Sequence, residues 1–316
     1  VKGVLVGHHE RIGGGWLTGT TVLLCPDGAV AGVDVRGGGP GTRETDLLDP
    51  RNLVDRVHAV VLSGGSAYGL AAASGVTDWL AERGIGLPVG PGPREVVPIV
   101  PAAVLYDLGR GGAFENRPDA EFGRLACADA SGGRVRTGNV GAGAGAVAGG
   151  VKGGFGHASV TIEEGFEVEA VVAVNAVGSC VDPRTGRLYG DDRDLLAAPT
   201  DAEAAAIPQS ADVPLATTIG AILTDATLTK AQAQKVAGVA HDGMARAIRP
   251  VHSLFDGDTV FTLATGAAPA PDPVQTNAIL AAAADVFSQA VVNAILAARS
   301  VAGYHSYRDL APSVFA

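Results

Sequence analysis

Glycine supplies 45 of the 316 residues, while aromatic side chains make up only 5%. A chain built this way cannot fill its interior with rings. It has to bring backbone close to backbone, through tight turns and small-residue contacts. The apolar fraction is still 47%, enough for a sizeable core at this length, so the chain is globular. Charged residues are 18% and the formal net charge is −10, without a stripe of Lys and Arg, which argues against nucleic acid as a partner. Cys25, Cys127 and Cys180 are odd in number and lack metal or redox spacing, so free buried thiols and a cytoplasmic location are expected. The most apolar helix candidate, 277–298, carries Asp285, and no membrane span, signal peptide or transit peptide is expected.

Along the chain, "TGTTVLLC" (18–25) and "AVAGVDVRGG" (29–38) are β-rich runs flanking Pro26-Asp27-Gly28, a pattern that predicts a hairpin. "HAVVLSGG" (58–65) predicts a buried strand entering a glycine turn, and 67–84 a helix ending near Gly84. A glycine-dominated loop (138–156) precedes strands around 158–165 and 166–178. Residues 179–213 lack periodicity and form the linker candidate. Beyond it come a strand at 217–224, a helix opened by a Thr229/Gln232 capping box and stopped by Pro250, a strand at 259–266 and an Ala-rich helix at 277–300. Paired strands alternating with paired helices predict layered α+β architecture, with two sheets between helices.

Motif by motif, the common chemistries fall away. Gly143-x-Gly145-x-x-Ala148 matches a loose dinucleotide fingerprint, but neither a buried strand before it nor a continuous helix after it is present. No glycine run ends in GK[ST], and no histidine pair has zinc-hydrolase spacing, so neither cofactor nor metal is expected. Ser66 in "GGSAYG" departs from the G-x-S-x-G nucleophile elbow. Asp256-Gly257-Asp258 places two carboxylates on a turn before a strand, where they could bind a cation, orient a catalytic group or cap the turn. Thr217, in "PLATTIGAILT", is either an ordinary β-branched strand opener or a hydroxyl nucleophile whose base is its own α-amine, freed by cleavage of the preceding peptide bond. An α-amine titrates at about 7.7–8, which suits that role.

Four stretches carry a resemblance: "TTIGAILTDATLTKAQ", "RPVHSLFDGDTVFTLATG", "LSGGSAYGLAAASGV" and "RGGGPGTRETDLLDP". Together, over nearly the whole chain, they resemble the DmpA-type family of L-aminopeptidase/D-esterases and β-peptidyl aminopeptidases. These are self-processing N-terminal-nucleophile hydrolases that include the nylon-oligomer endo-hydrolase. The resemblance implies a four-layer αββα sandwich of the type shared with ornithine acetyltransferases, and a single domain cut into an α chain, 1–216, and a β chain, 217–316. It also implies a homo-oligomer, a tetramer of αβ units. Carried over by position, it makes Thr217 the nucleophile and Asp256 and Asp258 the pair that orients and polarises it. It further implies that Lys152, Asn175 and Tyr68 line the pocket, with the asparagine amide and the tyrosine hydroxyl donating to the intermediate. Ala216 stands where the family usually has asparagine, sometimes glycine, so slow or absent processing is expected. The activity implied is hydrolysis of small peptides or amides through an acyl-enzyme; the alternatives are an uncut small-molecule binder and an acyltransferase to an amine.

Overall fold

The computed structural model describes residues 1–191, 195–208 and 215–315. Of the expected linker, 192–194 and 209–213 therefore lie outside the described residues; the rest is mostly irregular, with a short helix, Asp201–Ala206, capped by Thr200 and Glu203.

Strand alternation explains the layers. In Glu167–Val174 the even positions Val168, Ala170, Val172 and Val174 pack into one apolar cluster, and the odd positions Val171 and Ala173 into a second. Ile219–Thr224 divides likewise, Ile222 facing the first cluster and Ile219, Ala221 and Leu223 the second. On the other side of that second cluster, Arg56–Ser63 contributes Val60 and Leu62, while its Ala59 and Val61 face a third. Because a strand's side chains alternate by face, three clusters separate four layers. The helices Lys230–Ala247 and Pro273–Ala297 cover one outer face, and Ala71–Ala81 and Ala120–Asp129 the other. This is the αββα sandwich expected.

The two strand layers are continuous through one long strand, Trp16–Val35. Its first half pairs with Leu5–Gly13 and with Arg56–Ser63, and its second half with Thr259–Ala264, with a register shift between Leu24 and Ala29. Here the sequence expectation needs correcting: Pro26-Asp27-Gly28 does not reverse the chain. It forms an irregularity at which a single strand crosses from one sheet to the other, with Gly28 at φ 75°. The true hairpin turn lies earlier, where Gly13, Gly14 and Gly15 all have positive φ between paired strands.

In sheet order, Gly154–Thr161, Glu167–Val174, Ile219–Thr224, Thr259–Ala264 and then the long strand lie side by side. Ile219–Thr224 and Thr259–Ala264 are parallel, and Glu167–Val174 runs antiparallel to them. The Thr229 capping box forms with both of its hydrogen bonds. The Ala-rich helix starts earlier than its periodicity suggests, because Asp272 caps it and Pro273 occupies its first turn. That helix is long and apolar enough to cross a membrane, yet 67% of its apolar window is buried against the sheet and the neighbouring helix, and its Asp285 pairs with Arg246. Small residues permit the close helix contact: a Cβ on Gly243 would lie 2.1 Å from the Ala284 carbonyl oxygen. All three cysteines are free and buried, and burial pushes each thiol up to about 12.

Phe261 is wholly buried between the two sheets and is one of few rings there. Phe261→Ala is expected to destabilise the fold by about 3–5 kcal/mol, seen as a lower denaturation midpoint at unchanged m-value. A loss below about 1 kcal/mol would show that this layer is not the close-packed core described.

Candidate active site

Topology brings three distant segments to one edge of the sheet. The N-terminal ends of the parallel strands Ile219–Thr224 and Thr259–Ala264 meet the C-terminal end of the antiparallel Glu167–Val174. The residues just outside those ends are Thr217 and Thr218, Asp256 to Asp258, and Asn175. Thr217 N–H donates to the Asn175 carbonyl at 2.7 Å. Its hydroxyl donates to the Ala216 carbonyl and accepts from Gly257 N–H at 3.1 Å. Thr217 is 4% exposed, and Ala216, whose N–H donates to the Phe255 carbonyl at 3.1 Å, is 2% exposed.

Both acids are buried, and both are occupied by groups other than the Thr217 hydroxyl. Asp256 accepts from Val177 N–H at 3.1 Å through Oδ1, and from Ser253 N–H at 3.3 Å and the Ser253 hydroxyl through Oδ2. Asp258 accepts from Thr218 N–H at 2.8 Å through Oδ1 and from His252 through Oδ2. Thus the N–H between the two acids, and neither carboxylate, touches the hydroxyl. The pair ties the loop that carries Gly257 to Val177 and Thr218. Burial, with the neighbouring Asp258 charge adding, holds the Asp256 carboxyl above its ordinary range.

The Asn175 amide is turned away from Thr217 and into a buried polar network. Its Oδ1 accepts from Arg110 at 2.5 Å and from Val147 N–H at 3.0 Å, while Nδ2 donates to the Tyr106 carbonyl at 3.2 Å. It reaches the threonines instead through its backbone carbonyl, which also accepts from the Thr218 hydroxyl at 3.3 Å. Lys152 is fully buried in the glycine loop, its ammonium donating to the carbonyls of Gly143 at 3.0 Å and Gly153 at 2.7 Å. Burial first and the Arg110 charge second lower it to about 7, while burial raises Asp107 to about 6. Tyr68 is 54% exposed on the 3-10 turn Ser66–Leu70, its ring under the Arg117 guanidinium at 3.8 Å. Among the described residues no hydrogen bond joins its hydroxyl to the Thr217 group.

Sequence reasoning thus names four groups that the fold brings together, Thr217, Asn175, Asp256 and Asp258, and one, Lys152, that reaches them through the Arg110 network. It does not single out His252, Ser253, Asp107 or Arg110. The first two stand in "RPVHSLFDGD", close to the acids but without ligand spacing; the last two stand in "YDLGRGG", where nothing marks them. Among the described residues no group of three His, Cys, Asp or Glu could hold a metal ion.

The lysine's titration has a sign that can be checked. Its amine is lowered from 10.5 to about 7 in the fold, so between those values the unfolded chain binds more protons and folding is favoured as pH rises. The difference in unfolding free energy between the wild type and Lys152→Met is therefore expected to shift in favour of the wild type from pH 7 to 10. A difference independent of pH would show that the buried amine is not depressed.

Known proteins resemble this chain in sequence and in fold. The profile of peptidase family S58 matches residues 1–308. A protein of Mycobacterium tuberculosis named as an uncharacterized aminopeptidase is 48% identical over 341 aligned residues, covering 100% of this chain and 98% of the relative. The 6-aminohexanoate-oligomer endohydrolase of Paenarthrobacter ureafaciens is 34% identical, covering 83% of this chain and 73% of its own length. Among solved structures, the L-aminopeptidase D-Ala-esterase/amidase of Ochrobactrum anthropi, described as a variant of the Ntn hydrolase fold, superposes with a TM-score of 0.72. It is 22% identical and covers 94% of this chain and 85% of that one. On a profile match spanning almost the whole sequence and a relative nearly half identical across all of it, this chain belongs to peptidase family S58.

Proposed function

We propose that the chain is a self-processing N-terminal-nucleophile amidohydrolase that acts on small peptides or amides through an acyl-enzyme on Thr217. The observation that carries this reading is the setting of one hydroxyl. Thr217 Oγ1 lies against the carbonyl of residue 216 on one side and the Gly257 N–H on the other, while its own amide nitrogen is anchored on Asn175.

In the first reaction Oγ1 attacks the Ala216 carbonyl carbon, and the C–N bond to Thr217 breaks as its nitrogen takes the hydroxyl proton. The resulting ester is hydrolysed by water to an Ala216 carboxylate and the Thr217 hydroxyl, beside the amine already released. That amine is then the base for turnover. It takes the Oγ1 proton as the oxygen attacks a substrate amide and returns it to the departing amine, after which water cleaves the acyl ester. The Gly257 N–H supports this because it holds Oγ1 in register with the carbonyl it is to attack. The Asn175 carbonyl accepts one amine hydrogen and so orients the nitrogen.

Intact-mass measurement of purified protein, with release of amine from an aminoacyl amide, tests the proposal. Fragments of 1–216 and 217–316, formed slowly with Ala216 in place and faster after Ala216→Asn, are expected together with turnover by the cut protein. A single full-length species that stays uncut after Ala216→Asn and binds amides without turning them over would favour a binder instead. Transfer of the acyl group to an added amine in preference to water would favour an acyltransferase. The reading includes assembly of αβ units into a homo-oligomer, as the family resemblance implies, which light scattering on the cut protein tests.

A further inference from the structure

Asp258 is gripped by a residue with no part in the steps above. His252 donates its backbone N–H to Asp258 Oδ2 at 3.1 Å, and its ring Nδ1 lies 2.8 Å from the same oxygen. A carboxylate only accepts, so Nδ1 carries the hydrogen. The backbone of His252 has φ 56°, in the left-handed region that only a small share of non-glycine residues adopt. This conformation is what lets one residue aim two donors at one oxygen. The other oxygen, Oδ1, receives Thr218 N–H at 2.8 Å, so Asp258 bridges the His252 turn to the residue next to the nucleophile.

The surroundings hold the imidazole in place. Its Nε2 is buried, and its ring meets that of His241 edge-on at 4.8 Å. His241, on the Lys230–Ala247 helix, has its Nε2 3.0 Å from the Asp34 carbonyl oxygen. The charged and titratable groups around the imidazole are Asp258, Asp256 on the same loop, His241, and behind His241 the Asp34–Arg36 pair.

We propose that His252 is a positioning residue for the nucleophile, fixing Asp258 so that Thr218, and with it the Thr217 hydroxyl, stays aimed at the scissile carbonyl. This rests on the Thr217 reading. A substitution series separates backbone from side chain. His252→Gly accepts the left-handed backbone and removes the ring donor, whereas His252→Asn tolerates that backbone and puts an amide N–H where Nδ1 was. The Gly variant is expected to self-cleave more slowly and to lose roughly 10–100-fold in kcat, with KM within about threefold, because misplacement rather than lost substrate contact is the defect. The Asn variant is expected to recover most of that loss. A Gly variant that cuts and turns over like the wild type overturns the inference, as do Gly and Asn variants equally impaired at an unchanged melting temperature. Should the Gly variant not fold, a folded Asn variant with wild-type kcat still supports it, and a folded, impaired one overturns it. Thr217→Ala measured alongside separates the two ideas. If that variant still cleaves, the nucleophile reading fails; if it is inert while His252→Gly behaves as wild type, only the role of His252 fails.

Discussion

Thr217→Ala is expected to yield one full-mass chain and no measurable amide turnover, a loss of about 10⁴-fold or more, whereas Thr217→Ser is expected to keep both self-cleavage and activity. The size follows from removing the attacking oxygen itself: when a nucleophile is deleted, only binding and electrostatic help remain. The serine control follows from the setting of that oxygen. The groups touching it are the Ala216 carbonyl and the Gly257 N–H, and neither requires the threonine methyl. Intact mass resolves the cleavage, and amine release from an aminoacyl amide reads the activity. An alanine variant that is still cut after residue 216 would falsify the assignment.

Gly257→Ala is expected to slow both reactions by roughly 10²-fold, the scale of rate lost when a reacting group is displaced by about 1 Å. A Cβ at Gly257 would stand 2.7 Å from the Gly39 carbonyl oxygen, 2.9 Å from Pro40 Cα and 2.9 Å from Thr217 Oγ1. The first two neighbours are backbone, and they are pinned. Gly39 N–H donates to the Asp256 carbonyl at 2.8 Å, and Arg36 and Gly37 N–H donate to the Asp258 carbonyl at 3.0 and 3.3 Å. The loop that moves is therefore the one presenting the donor to the hydroxyl. Gly39→Ala is the matched control, since a Cβ there meets nothing nearer than 3.7 Å, and it should cut and turn over normally. Equal behaviour of the two variants would count against the role given to the Gly257 N–H.

These contrasts also show what can be read from residues in a row. The layered α+β class is legible because strand runs and helix runs fall in pairs along the chain; that Val171 and Ala173 part from Val172 and Val174 follows from the strand period only once the strand is placed. The Thr229/Gln232 cap was legible because both halves of it lie within one turn. Pro26-Asp27-Gly28 misled because the same dihedral freedom that turns a hairpin also lets a strand change sheets, and the choice depends on partners such as Thr259–Ala264 more than two hundred residues away. At the site, Thr217 and the Asp256/Asp258 pair stood out through family resemblance. The contacts that place them did not, because Arg110 meets Asn175 across 65 positions and Asn175 meets the threonines through its main chain. A backbone acceptor leaves no mark on residue identity.

The order of strands gives a cut after residue 216 a mechanical meaning. The downstream piece would own Ile219–Thr224 and Thr259–Ala264, and the ladder runs unbroken from Glu167–Val174 through these two to Trp16–Val35, both outer members belonging to the upstream piece. A nick there severs one covalent bond in a woven body and frees neither half. The halves would travel together through purification until denaturant parts them, and neither would be expected to attain this shape if made alone, since each would be left with bare sheet edges that only the other can clothe.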